Sequence, residues 1–230
     1  MIDKAYSWLD ERVGVTQLDA ALVSRHVPKL NWFYTLGFSS LFTFILMAVT
    51  GMFLAVYYAP TPDHAYDSVK YLTETVTFGK FVRGIHHYGA SAMVILVALH
   101  MARTFFFGAY KYPRELTWIS GVALLGVTIG LGFTGYLLPW DQKAYWATQV
   151  GTEVAVAVPL VGDLSKVVLR GGENLGALTL TRFYAIHMLM LPALMLIFMG
   201  IHLYLVVRLG ITPLPQRLDE AYDRVKSEGK

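Results

Sequence analysis

The sequence predicts an all-α integral membrane protein, a four-helix transmembrane bundle with amphipathic surface helices, and three observations predict it. Of 230 residues 55% are hydrophobic and 15% charged, whereas soluble domains carry roughly a quarter charged residues. Four stretches hold no Asp, Glu, Lys or Arg: residues 30–62, 84–102, 116–140 and 183–207, of 33, 19, 25 and 25 residues. About 20 apolar residues suffice to cross a bilayer. The third observation is exclusion. No cysteine is present, which removes disulfides, thiolate zinc, iron–sulfur ligation by this chain and thioether-linked haem. Aromatic content of 14% argues against disorder, and a net charge of +3 without a basic run argues against nucleic acid.

The elements follow in order. The leader, residues 1–30, mixes Tyr6, Trp8 and Leu9 with charges over 3–13 and reads as an interfacial helix. Because the first apolar run starts only near residue 30, it does not resemble a cleavable signal peptide. Spans are expected at about 32–58, 83–107, 116–138 and 181–209. Spans two and three are joined by a tight turn over 108–115, where Pro113 suits the first turn of the third span. The connection 139–180 is too long for a bundle turn, and loops of that length are uncommon without a role. Within it, 145–158 and 160–170 read as surface helices on either side of Pro159. A tail, 210–230, closes a chain that reads as one domain without internal repeats. Both termini and the second connection share a face, which collects twelve basic residues against seven on the other. Positive residues mark the cytoplasmic side, so both termini are expected there.

Four of the seven histidines fall inside spans: His100, His187, His202 and one of the pair His86/His87. Hydrocarbon penalises an ionisable group unless it is paired or ligated, so each is a functional candidate. At about 100° per residue, the 14-residue step from His86 to His100 returns within about 40° of one face and rises about 21 Å. His87 would lie about 140° from His100, which favours His86. His187 and His202, 15 apart, fall within about 60° and about 22 Å. Spans two and four run parallel, so His86 matches the level of His187 and His100 that of His202. Two helices therefore present paired imidazoles at two depths, an arrangement suited to two stacked bis-histidine haems. Zinc or a proton relay would want carboxylates, and these spans contain none.

Glycines repeat the interval: Gly37 and Gly51 in span one, Gly121 and Gly135 in span three, each 14 apart. Each haem level could thus have a side-chain-free position from both neighbouring helices; ordinary small-residue packing is the alternative. Arg83, Arg103 and Arg114 flank the levels where haem propionates would emerge, and their forked donors match carboxylates. Equally they could be snorkelling ends of spans.

The order and spacing of the four histidines resemble cytochrome b of quinol-oxidising complexes. So do Pro113-Arg114-Glu115-Leu116-Thr117-Trp118, Gly135-Tyr136-Leu137-Leu138-Pro139-Trp140-Asp141-Gln142 and Leu180-Thr181-Arg182-Phe183-Tyr184. The 15-residue step and short chain are most similar to cytochrome b6, the split form, and the resemblance runs from about residue 3 to about 215. It implies a di-haem subunit of a quinol:cytochrome c (or plastocyanin-like acceptor) oxidoreductase, bc1-like or b6f-like, in a bacterial plasma membrane. His86 and His187 would hold an outer, low-potential haem b, and His100 and His202 an inner, high-potential one. Pro139, Trp140, Tyr145 and Trp146 would wall an outer quinol pocket. Asp19 and Arg208 are candidates for the inner quinone site, or else solvated interface charges. Implied partners are a Rieske iron–sulfur protein, a c-type cytochrome and a separate subunit IV-like chain carrying the later helices, in a homodimeric complex. Two departures bear on this. Thr35 stands where cytochrome b6 has a cysteine carrying a covalent haem, so both haems are expected to be non-covalent. The family's Pro-Glu-Trp-Tyr segment is expected on that separate subunit. The competing reading is a di-haem anchor relaying electrons between a dehydrogenase or hydrogenase and quinone; such anchors lack the long amphipathic connection.

Overall fold

The protein is represented by a computed structural model that describes residue 7 and residues 32–157, 159 and 162–212. The expected leader helix at 3–13, Asp19 and most of the tail lie outside the described residues. Eight α-helices appear among them: α1 (Trp32–Tyr57), α2 (Ala65–Glu74), α3 (Gly79–Phe106), α4 (Glu115–Leu137), α5 (Gln142–Val156), α6 (Gly162–Arg170), α7 (Ala177–Ala185) and α8 (Leu191–Leu209). A π-helical turn, Ile186–Met190, joins α7 to α8, so the two form one rod from Ala177 to Leu209. The helices α1, α3, α4 and this rod are each long and apolar enough to cross a membrane. No strand occurs among the described residues.

The four long helices pack as neighbours in a chain: α1 lies along α3, α3 meets α4, and α4 lies along α8. Their large apolar side chains point outwards. On α1, Phe38, Phe42, Ile45, Val49, Met52 and Val56 are exposed, while the buried positions are Ser40, Thr43 and Thr50. Lipid offers no hydrophobic gain for burying Phe or Ile, so membrane helices meet through small residues instead. Several buried hydroxyls are satisfied within their own helix. Ser40 donates to Leu36 O at 2.9 Å, Thr43 to Ser39 O at 2.8 Å and Thr128 to Leu124 O at 2.8 Å. None of these three hydroxyls then faces lipid unpaired.

Between α4 and α7 the chain builds a surface layer. Trp140, with φ of 52°, turns it sharply out of α4, and Asp141 caps α5 by accepting Ala144 N–H at 2.8 Å. α6 packs on α5 through Arg170, only 1% exposed. Its Nε donates to Thr152 Oγ1 at 2.6 Å, its Nη2 to Gln149 O at 2.9 Å, and its Nη1 pairs with Glu153 at 2.9 Å. Arg182 then donates to the Val167 and Val168 carbonyls, closing the C-terminal end of α6 onto α7. Ala65, Leu137, Leu180 and Phe183 form a fully buried cluster beneath this layer, with Tyr58, Phe133, Leu138 and Trp140 packed around it.

Some boundaries differ from expectation, with physical reasons. The second span begins at Gly79, four residues early, because Phe78 at φ 61° makes the turn out of α2. Pro113 lies before α4 rather than in its first turn, since Arg114 occupies the N-cap. α2 was not anticipated: its charged residues Asp67, Lys70 and Glu74 mask a short buried face of Ala65 and Leu72.

Candidate functional site: paired intramembrane histidines

The helix packing brings each of the four histidines against one of the four glycines. A Cβ placed on Gly51 would stand 3.1 Å from His86 Cε1, and one on Gly37 3.1 Å from His100 Cε1. Gly135 and Gly121 stand in the same relation to His187 and His202, at 2.6 and 3.4 Å. The order reverses between partners, so α1 runs antiparallel to α3 and α4 antiparallel to the α7–α8 rod. A side chain at Gly37, Gly51 or Gly135 would press on an imidazole, which is the physical use of glycine there, whereas one at Gly121 would only touch its ring. His86 and His187 face each other, ring centres 6.4 Å apart and ring planes at 77°. His87 does not join them; it is exposed and stacks edge-on against Tyr88 at 5.2 Å.

A set of hydroxyls that sequence reasoning missed orients three of the rings. Thr50 Oγ1 donates to Leu46 O at 2.7 Å and lies 2.9 Å from His86 Nδ1. Thr134 Oγ1 donates to Gly130 O at 2.8 Å and lies 3.1 Å from His187 Nδ1. Ser120 Oγ donates to Thr117 O at 2.9 Å and lies 3.0 Å from His202 Nδ1. A hydroxyl has one proton, and each is directed to a carbonyl that can only accept. The ring contact is therefore satisfied with Nδ1–H as donor, leaving Nε2 with its lone pair free to bind a metal. His100 Nδ1 has no hydrogen-bond partner among the described residues. The legible signal was the dipeptide Thr50-Gly51, Ser120-Gly121 and Thr134-Gly135, which reads Leu36-Gly37 at the fourth place.

The π-helical turn Ile186–Met190 begins next to His187. A π bulge accommodates one additional residue in an α-helix. It therefore cancels about 100° of rotation, and a 15-residue step emerges on the face a 14-residue step would reach. His187/His202 and His86/His100 thereby share one angular offset despite unequal spacing. Pro192 follows directly after the π turn, in the first turn of α8.

The arginines divide by what they touch. Arg103 places its guanidinium over Tyr34 at 4.3 Å and Phe107 at 4.9 Å, and its buried Nε and Nη2 lack partners among the described residues. Arg114 instead gives Nε and Nη2 to the Gly210 and Leu209 carbonyls at 3.2 Å each, tying the start of α4 to the end of α8. Arg83 is half-buried on the first turns of α3, and Arg208 is exposed on the last turn of α8. Trp140 and Tyr145 meet edge-on at 5.9 Å and Tyr145 and Trp146 at 5.2 Å. They gather just after Pro139 at the end of α4. Burial pushes the neighbouring Tyr58 hydroxyl well above the usual phenol range; it donates to Leu138 O at 2.6 Å. Thr35 is exposed and donates to Trp32 O at 2.6 Å. No cluster of three or more His, Asp or Glu suited to a metal occurs among the described residues; His86 and His187 meet as a pair.

A helical bundle with four spans long and apolar enough to cross a membrane, and with histidines set against backbone glycines, defines a class: an integral membrane protein with imidazoles gathered between its helices. The Cytochrome b/b6/petB family model matches residues 22–210, and the chain belongs to that family. It is 46% identical over 221 residues to the menaquinol:cytochrome c reductase cytochrome b subunit of Geobacillus thermodenitrificans, covering 92% of this chain and 99% of that one. The corresponding subunit of Bacillus subtilis (strain 168) is 44% identical over the same shares. Cytochrome b6 of Prochlorococcus marinus (strain NATL1A) is 42% identical over 208 residues, 90% of this chain and 95% of that one. Among solved structures, a chain of a "Hyperthermophilic respiratory Complex III" superposes with a TM-score of 0.81 at 37% identity. The match covers 89% of this chain and 55% of that one, so the chain spans little more than half of its structural neighbour.

Family membership implies haem b, and the residues present fit it. His86 and His187, with ring centres 6.4 Å apart, are near enough that both imidazoles could hold one metal ion. The glycines let the backbone come close to all four rings, and the unpartnered Arg103 donors suit a carboxylate.

Proposed function

We propose that this chain is the di-haem cytochrome b subunit of a quinol:cytochrome c reductase type complex. It carries electrons from an outer quinol-oxidation site to an inner quinone-reduction site, coupled to proton translocation. The observation that carries the reading is the fourfold match of histidine to glycine at two depths. His86 and His187 bind the outer haem through Nε2, and His100 and His202 the inner. Bound there, two non-covalent b-type haems supply one-electron carriers spaced across the bilayer. Thr50, Thr134 and Ser120 hold the tautomer that frees Nε2, and the glycines keep side chains off the rings. Arg103 and Arg83 offer donors to propionates. Pro139, Trp140, Tyr145 and Trp146 wall the outer quinol pocket, and the Arg170 latch fixes α6 against α5 behind it. Asp19 and Arg208 serve protonation at the inner site. A Rieske protein, a c-type cytochrome and a subunit IV-like chain complete a homodimeric complex in a bacterial plasma membrane, with both termini cytoplasmic.

The test is to purify the tagged chain in mild detergent from its own membrane and assay quinol-dependent cytochrome c reduction. A Rieske protein and a c-type cytochrome are expected in the preparation, with the activity. Co-purification of a dehydrogenase or hydrogenase without either would contradict the reading and favour a di-haem anchor.

A further inference from the structure

Three of the four histidines have a hydroxyl at Nδ1 and one does not, and the exception falls on one side of the membrane. At the outer level both rings are served, His86 by Thr50 and His187 by Thr134. At the inner level Ser120 serves His202, while Leu36 stands in the slot that would serve His100. His100 Nδ1 has no partner among the described residues.

A hydrogen bond accepted from Nδ1–H pushes electron density toward Nε2 and makes it a more basic ligand. A more basic axial ligand favours ferric over ferrous iron and lowers the reduction potential. The outer pair carries two such bonds and the inner pair one. We propose that Thr50, Thr134 and Ser120 are positioning residues that set haem potential through the imidazoles, and that their unequal distribution makes the outer site the lower-potential one. Electrons then run downhill from outer to inner because of a Thr-Gly, Thr-Gly, Ser-Gly, Leu-Gly pattern. The proposal rests on the ligand assignment above.

The test is a redox titration of the haem absorption bands in the purified complex, with haem content measured on the same samples. Thr50→Val and Thr134→Val should each shift the outer haem toward the reduced form by about tenfold in equilibrium constant, about 59 mV for one electron. Ser120→Ala should do the same to the inner haem. Leu36→Thr should shift the inner haem the opposite way, and Thr50→Ser should restore the wild-type value. Full haem occupancy with unmoved potentials in both Thr→Val variants, or no lowering in Leu36→Thr, overturns the proposal and leaves the ligand assignment standing. A purely structural role would instead deplete haem without moving the potential of what remains, which also overturns it. Wild-type protein with fewer than two haems per chain would overturn the ligand assignment itself.

Discussion

The space beside each imidazole is unequal, and that ranks the four glycines. A methyl group on Gly135 would fall 2.6 Å from His187 Cε1, whereas one on Gly121 would stand 3.4 Å from His202 Cε1. Overpacking of this kind typically costs about 1–3 kcal/mol. Gly135→Ala should therefore broaden or shift the outer haem spectrum, while Gly121→Ala should be accommodated. Equal spectra for the two variants would show that the rings relax freely. His87 lies outside the cradle, so His87→Ala should retain both haems while His86→Ala loses the outer one, as read in dithionite-reduced difference spectra. These ligand candidates were legible because histidine in a charge-free helix stands out. The hydroxyls were not, since Ser and Thr are ordinary in membrane helices and only their place before a glycine marks them.

Among elements, the four spans were legible from charge alone, because lipid excludes Asp, Glu, Lys and Arg from long runs. The π turn was not. Nothing in Ile186–Met190 announces it, and only the mismatch between a 14- and a 15-residue step hints that one helix must absorb a residue. Deleting one residue from that turn, Met188 or Leu189, should convert it to regular α-helix and preserve the alignment of His187 with His202. Insertion of a residue into α3 between His86 and His100 has no such absorber and should lose a haem. Haem content of the two variants checks this pair. The surface layer hid its main tie as well: Arg170 ends a stretch expected only as a surface helix, yet it is buried and bonded to Thr152, Gln149 and Glu153. Hydrogen bonds to a charged group contribute about 1.5–3 kcal/mol each. Arg170→Ala should thus cost about 3 kcal/mol locally and expose the α5–α6 junction to protease near residues 157–162, with the spans left intact.

At the scale of the whole molecule, the bundle works as two halves, α1 with α3 and α4 with the α7–α8 rod, each supplying one imidazole to each depth. Since the chain has no cysteine, neither of the two proposed haems could be held by a thioether of this chain. After acid–acetone extraction, a denaturing gel stained for haem peroxidase activity should be blank at the 25.7 kDa position of this chain. The central claim is that two haems are held by cross-pairs of these halves. Haem per polypeptide, by alkaline pyridine haemochrome, in wild type and in the four single variants His86→Ala, His100→Ala, His187→Ala and His202→Ala, tests it most directly. The account predicts two haems in wild type and one in each variant, with His86→Ala and His187→Ala lacking the same haem by redox potential and His100→Ala and His202→Ala lacking the other. Loss of different haems from His86→Ala and His187→Ala, or one haem in wild type, would contradict it.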